Sequence, residues 1–445
     1  MSLWKIAWRS ITQRALASSL TGLSMALGVA LIILVLVIHE VVVGQLSNDA
    51  QGYHLIVAGG KGSPIEVVLT SVFHIGKPLY PFSYSYYKKF IGDGEFAPFV
   101  EAAVPICLGD SYQTDDGYTF RVIGTRPEMF TAIPYGLNDD GTERHYEFSA
   151  GRNFKAENFF EAVLGGGAAR RAGLKVGDRF QPTHGVSPGG DKHDGFEVVG
   201  ILAPSGTSTD RAMFVNMEGF YLGEGHALPL RGAAAEAAAA RSQADDHDDA
   251  NLRPLPEEQR EVTSILVRCD ESEAAAAMYL DGAVNKGVDR DAQAVAPRLV
   301  VAQLTEKFLG PVRIVLLVLT VLIVVVAGIS ILVSIYNSMS ERAHDIAVMR
   351  ALGASRAAVM GVILVESILL SLLGAAAGIL LGHVILAFAA PVVEDYAGIV
   401  VRPWDFTWHE LLLIPALVAF ASLVGLLPAI TAYRTDVARI LGGAR

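Results

Sequence analysis

Few residues in this chain have types and spacings that could do chemistry. Lys61 sits among glycines in GGKGSP (59–64), which invites a phosphate-cradling loop. Such a loop needs G-x-x-x-x-G-K-[ST], so that backbone N–H groups surround the phosphate and a hydroxyl reaches the metal. Here Gly62 follows Lys61, and no other window fits, so no nucleotide site is expected. His247 lies among Asp245, Asp246, Asp248 and Asp249, which are ligand types for a divalent ion. Nothing preorganises them, and a solvated acidic loop is the reading. His184 and His193, in THGVSPGGDKHDG (183–195), are read the same way, leaving no metal site. G-x-S-x-G, H-E-x-x-H, C-x-x-C and paired carboxylates are missing from any convincing context, so neither a catalytic site nor a bound cofactor is expected.

Glu366 is read as the one acidic residue well inside an apolar run. A mid-bilayer carboxylate costs about 2.5–3.5 kcal/mol on insertion scales, so it should face protein and find a donor. It reads as a residue that fixes helix packing; a proton relay is the alternative.

The remaining candidate is Ser340 to Arg356, SERAHDIAVMRALGASR, a charged stretch between two long apolar runs. Ile346, Met349 and Gly353 fall at i, i+3 and i+7, a narrow apolar stripe on a helix. Glu341, Arg342, Asp345 and Arg350 decorate the other faces, Gly353 suits a C-cap, and Ser355 can cap the helix that follows. A turn between membrane spans needs only a few polar residues. An amphipathic helix of this length is built for something to dock on.

The elements that position these residues are mostly membrane spans. The chain has 445 residues and is 52% hydrophobic, unevenly distributed. Four windows, 17–43, 312–336, 358–388 and 409–430, are apolar on all sides over a length that crosses a ~30 Å hydrocarbon core. The first is about twice as long as a signal-peptide core and no convincing cleavage site follows it. Lys5, Arg9, Arg14, Arg342, Arg350, Arg356, Arg434, Arg439 and Arg445 flank one side, against Arg402 in the loop 389–408. The positive-inside rule then puts both termini (1–16 and 431–445) and the loop 337–356 in the cytoplasm. Residues 1–16 form an amphipathic interfacial helix, with Leu3, Trp4, Ala7 and Trp8 on one face. Small residues recur every four positions at Ser18, Gly22, Ala26 and Ala30, and at Gly374, Gly378 and Gly382. That spacing lets helices approach closely in lipid, either between subunits or within one bundle.

The segment 44–310 is then extracytoplasmic. With 24 basic and 37 acidic residues in 45–310, it carries the acidity of a chain whose net charge is −11, which argues against nucleic acid as a partner. Runs at 54–58, 118–124, 196–202, 212–216 and 264–269 read as strands, and 158–172 as helix-like, giving a mixed α+β domain. Residues 228–260 are alanine- and acid-rich and read as a mobile insertion. Residues 296–310 read as a helical stalk running into the second span, with a kink tolerable at Pro311. Cys107 and Cys269 both fall outside, where an oxidising compartment permits one disulfide, though both can equally stay free.

SERAHDIAVMRALGASRAAVMGVILVE resembles the cytoplasmic loop and third span of the MacB/FtsX-type ABC-transporter permeases, whose pattern is roughly E-R-x-x-E-I-x-x-x-[KR]-A-L-G-A. Asp345 replaces the usual Glu. PAITAYRTDVARIL (428–441) resembles the family's closing segment, with Val437 where proline is usual. AVLGGGAARRAGLKVGDRF (162–180) and FEVVGILAPSGTSTDRAMFVN (196–216) resemble its periplasmic core domain, and the order of one span, large outside domain and three spans also matches.

The resemblance implies a non-catalytic, multi-pass permease of the bacterial inner membrane. It would work as a homodimer or paired permease with a separate ABC ATPase subunit that binds the ATP. Glu341, Arg342, Asp345, Ile346, Met349, Arg350, Leu352 and Gly353 would form the coupling helix on that ATPase. Its outside domain would move to export or extract a peptide, lipoprotein or other amphipathic substrate, with a periplasmic or outer-membrane partner. The alternative is an FtsX-like transducer that activates a periplasmic partner without transport.

Overall fold

The computed structural model describes residues 3–60, 62–76, 80–138, 140–185, 193–223, 226, 254–270, 275–287, 291–341, 350, 353–397, 401–406 and 408–434. The chain forms two compact units, one of Met1–Val42, Lys307–Glu394 and Val400–Arg445, the other of Val43–Glu306 and Asp395–Ile399. The first unit opens with helix α1 (Leu3–Gln13), a break at Arg14, and the long helix α2 (Ala15–Asp49). Ala7 and Ile11 are buried with Leu369 and Leu370, while Trp4 and Trp8 stay exposed.

The second unit is organised by an eleven-stranded mixed sheet. Its strands are β1 (Leu55–Gly59), β2 (Val100–Gln113), β3 (Thr119–Thr125), β4 (Phe148–Gly151), β5 (Glu161–Leu164), β6 (Arg179–Phe180), β7 (Thr183–His184), β8 (Phe196–Leu202), β9 (Ala212–Asn216), β10 (Ser264–Cys269) and β11 (Ala292–Val295). The order is β11-β1-β10-β2-β3-β9-β5-β8-β4, with β7 added to β2 and β6 to β8. Pairs β3–β9 and β5–β8 are parallel and the others antiparallel. Alternate residues of the central strands feed two cores, Leu55 and Val57 one and Ile56 and Ala58 the other. Both faces of the sheet are therefore covered, which is why these strands read as continuous apolar runs.

Two sequence expectations change here. The run 158–172 is not one helix: Glu161–Leu164 is strand β5, held between β8 and β9, and only Gly166–Ala172 (helix α3) is helical. The longest strand among the described residues, β2, has no continuous strand pattern in the sequence, because Pro105 and Gly109 interrupt it. Gly109 is where its register against β3 slips, with Leu108 opposite Ile123 but Asp110 opposite Val122. Such a bulge re-aims the side chains that follow it.

Residues 228–253 of the expected mobile insertion lie outside the described residues. Its far end is ordered. Arg260 is buried, donates from Nη1 to Glu218 at 2.9 Å and from Nε to the Leu255 carbonyl at 2.6 Å, and lies over the Tyr84 ring.

After β11 the chain forms helix α4 (Pro297–Leu304), one π-helical turn at Thr305–Leu309, and helix α5 (Gly310–Glu341). Pro311 has no N–H for the carbonyl four residues back, and its ring crowds the preceding turn; the wider π turn takes up the misfit. Helices α6 (Arg356–Ala397) and α7 (Trp408–Arg434) complete the first unit. Its four long apolar helices are each able to cross a membrane by length and composition.

The small-residue positions have a definite place in this unit. A Cβ on Gly374 would stand 2.8 Å from Cβ and Cγ of Met25; one on Gly378 would stand 2.6 Å from the Ala26 carbonyl and from Cβ of Val29. One on Gly382 would meet Ile33 Cβ at 3.2 Å. Gly374, Gly378 and Gly382 thus hold α6 against α2 within one chain, and Ala26 is part of that contact. A Cβ on Gly374 would also lie 3.2 Å from the Gly22 carbonyl oxygen, but a Cβ on Gly22 itself would meet nothing within 4 Å.

Candidate functional site

Only part of the expected coupling stretch is described. Glu341 ends α5, Arg350 is half-buried, and Gly353 turns in the left-handed region (φ +100°) with its N–H donating to the Arg350 carbonyl at 3.1 Å. Such a backbone favours glycine, and Ser355 then caps α6 by accepting from Ala358 N–H at 3.1 Å. Arg342, Asp345, Ile346, Met349 and Leu352 lie outside the described residues.

Glu366 is buried and has the donor its position demands. Ser10 Oγ of α1 donates to its Oε1 at 2.6 Å. It is not, however, the one buried acid of the membrane unit. Glu410, in the first turn of α7, is buried 2.9 Å from Nε2 of His383 on α6, itself 1% exposed. His383 Nδ1 lies 2.6 Å from the Pro403 carbonyl. A carbonyl only accepts, so Nδ1 carries a proton, and Nε2 shares one more with Glu410. Trp404 stacks near this ring and Phe406 packs at 4.4 Å between centroids. A histidine inside an apolar run was the available signal.

Outside the membrane unit, the structure brings together residues that the sequence scatters. Asp110 follows the bulge in β2, and β7 pairs with it so that His184 stands opposite Asp110. The Gly185 N–H donates to the Gly109 carbonyl at 2.8 Å, and the His193 N–H to the Pro182 carbonyl at 2.9 Å. Helix α8, a short one at Met217–Leu222, leads to His226, whose ring packs on Phe220 at 4.1 Å. Two glycines make room: a Cβ on Gly109 would stand 2.8 Å from Cε1 of His226, and one on Gly124 2.7 Å from Cγ of Phe220. The ligand-type atoms of Asp110, His184, His193 and His226 all fall within 4.8 Å of one another. His193 is only 7% exposed, which corrects its reading as a solvated loop residue.

Both cysteines are free and buried. Cys107 Sγ lies 3.4 Å from the Tyr221 hydroxyl, and burial pushes its thiol up to about 12 and that of Cys269 up to about 11. Thiolate is the reactive form. Neither should therefore label with a maleimide at pH 7.5 in the folded protein, and both should label in denaturant. Labelling of either at native rates comparable to a free thiol would contradict this burial.

The MacB-like periplasmic core domain model matches residues 18–279, and the FtsX-like permease C-terminal model matches residues 317–437. The chain belongs to the MacB/FtsX-type ABC-transporter permeases. An uncharacterized ABC transporter permease of Methanocaldococcus jannaschii is 31% identical over 129 residues. That match covers 27% of this permease and 31% of the relative, so the chain spans about a third of the relative's length. Among solved structures, the extracellular domain of the noncanonic ABC-type transporter YknZ from Gram-positive bacteria aligns with 55% of this chain and 98% of its own. Its identity is 12% and its TM-score 0.27, too slight a likeness to bear on the fold.

The permease is thus a multi-pass membrane protein with a sheet-rich extracytoplasmic domain between its first and second spans. Its family is generally non-catalytic and implies an ATPase partner. Two segments through which the outside domain resembles that family meet in space. Gly165 and Gly167, at the start of α3, back onto the main chain of Thr209 and Asp210 with no room for a Cβ. The Asp210 carboxylate accepts from Ser205 N–H at 2.9 Å, Ser205 Oγ at 2.8 Å and Gly206 N–H at 2.8 Å. The glycines and the S-G-T-S-T-D run are therefore two sides of one packed corner.

Proposed function

We propose that this permease pairs with a second permease chain and with separate ATPase subunits, and that residues 341–356 receive the ATP-driven motion. The observation that carries this reading is the chain between α5 and α6. Helix α5 is described to Glu341 and α6 from Arg356 behind the Ser355 cap, while the apolar runs of the sequence stop at 336 and resume at 358, leaving 337–357 between two spans. That length is far more than a turn requires, it carries the Ile346–Met349–Gly353 stripe, and the chain has no phosphate loop of its own.

In this reading the stripe fills an apolar groove on the ATPase, and Glu341, Arg342, Asp345 and Arg350 fix its register. The loop and both termini face the cytoplasm of a bacterial inner membrane. Helices α4 and α5, helical from Pro297 to Glu341 through the π turn, carry the motion to the outside domain. That domain then exports or extracts a peptide, lipoprotein or other amphipathic molecule.

A charge in an apolar groove is costly to desolvate. Ile346→Asp is therefore expected to abolish permease-stimulated ATPase activity while the mutant still inserts in the membrane. ATPase stimulation equal to that of the parent would overturn the assignment.

A further inference from the structure

We propose that Asp110, His184, His193 and His226 of the outside domain form a binding site for a divalent transition-metal cation, with Zn2+ the best match to the donors. Oδ1 of Asp110, Nε2 of His193 and Nε2 of His226 are all buried and none makes a hydrogen bond. The Asp110 and His226 side chains are 4% and 6% exposed. Burying such atoms without a hydrogen bond is costly, most of all for a carboxylate.

The distances do not describe an ordinary ion pair either. His226 Nε2 lies 2.8 Å from Asp110 Oδ1, yet neither atom makes a hydrogen bond. His193 Nε2 and His184 Nδ1 approach the same oxygen at 3.4 and 3.6 Å. Three imidazole nitrogens and one carboxylate oxygen lie within 4.8 Å of one another. An ion bonded tetrahedrally at about 2.0–2.1 Å holds neighbouring donors roughly 3.3 Å apart, so two of these spacings already fit and the third must open by about half an ångström.

Donor chemistry narrows the ion. Three imidazoles and one carboxylate suit Zn2+ and its neighbours, whereas Ca2+ and Mg2+ require oxygen shells. The scaffold is built for the convergence: the bulge at Gly109 aims Asp110, strand pairing sets His184 beside it, and Gly109 and Gly124 leave the space that His226 and Phe220 occupy. The ligands come from β2, from β7 and the chain before β8, and from His226 beyond the short helix Met217–Leu222. An ion there would cross-link three segments of the outside domain.

The test uses the full-length permease in detergent, carrying an affinity tag without histidine and stripped with a chelator. Zn2+ is titrated against a chromophoric competitor, and Co2+ is added as a spectroscopic substitute. One tight Zn2+ per chain is expected, with the intense visible bands of four-coordinate Co2+. His184→Gln alters a half-exposed side chain and should fold, and thermal unfolding checks that the buried His226→Gln does so too. Each should weaken Zn2+ binding at least about tenfold, since even outer partners of a metal site are worth 10–100-fold. His247→Gln, in the acidic stretch, should leave the affinity unchanged. No tight site, an affinity untouched in both variants, or a weak six-coordinate Co2+ spectrum would overturn the proposal and leave the cluster a contact among histidines and a carboxylate.

Discussion

Replacing His383 by alanine is expected to destabilise the permease by about 3–5 kcal/mol, read as a lower midpoint of unfolding for the purified protein in detergent. The magnitude follows from what remains behind. Glu410 is buried, and its Oε2 loses the partner 2.9 Å away. The Pro403 carbonyl loses the Nδ1–H that faces it at 2.6 Å, and the space beside Trp404 and Phe406 empties. Removing one member of a buried pair is the expensive change, whereas replacing both by apolar groups of similar volume is often close to neutral. The double variant His383→Leu/Glu410→Leu should accordingly be far less damaged than the two single variants combined. A His383→Ala cost under about 1 kcal/mol, or single effects that simply add, would show that the pair does not hold α6 to α7.

What the sequence discloses divides along the range of the interactions. The spans are legible because each is a long run with no polar face, a property of neighbouring residues alone. The strands β1, β3, β8, β9 and β10 are legible for the same reason, since β-branched and aromatic residues cluster within them. Strand β2 is not, because Pro105 and Gly109 are local breakers whose tolerance depends on its partners β3 and β10. Glu366 is visible as a residue in need of a donor, but the donor Ser10 lies 356 positions away. His383 and Glu410 sit near the ends of two separate runs, and only the turn between them makes a pair.

The histidine cluster is the extreme case. His184 and His193 stand in a segment of Gly, Pro and Asp that taken alone resembles a solvated loop. Strand pairing to β2, a bulge and two glycines elsewhere in the chain are needed to bring them to Asp110 and His226. None of those constraints leaves a mark in the local pattern. The coupling stretch is the reverse: its stripe and caps are local, so it is read directly from the sequence, while most of its residues lie outside the described ones.

The same substitution should have opposite signs at two glycines of the small-residue stripes. Gly378→Ala adds a Cβ that would lie 2.6 Å from the Ala26 carbonyl and 2.6 Å from Cβ of Val29. Neither is the far end of a flexible side chain, so α2 and α6 must separate, and overpacking of this kind costs about 1–3 kcal/mol, with Gly378→Leu at or beyond the upper end. Helix propensity pulls the other way by about 1 kcal/mol and does not offset it. At Gly22 a Cβ meets nothing within 4 Å, so Gly22→Ala keeps the propensity gain without a clash and should be neutral or slightly stabilising. Thermal unfolding of the two variants in the same detergent separates the possibilities. Equal midpoints would mean that Gly378 does not pack α6 on α2. A Gly22→Ala variant that unfolds normally but no longer pairs with a second chain would instead place the open side of that stripe in a subunit interface, a role distinct from the packing inside the chain at Gly374, Gly378 and Gly382.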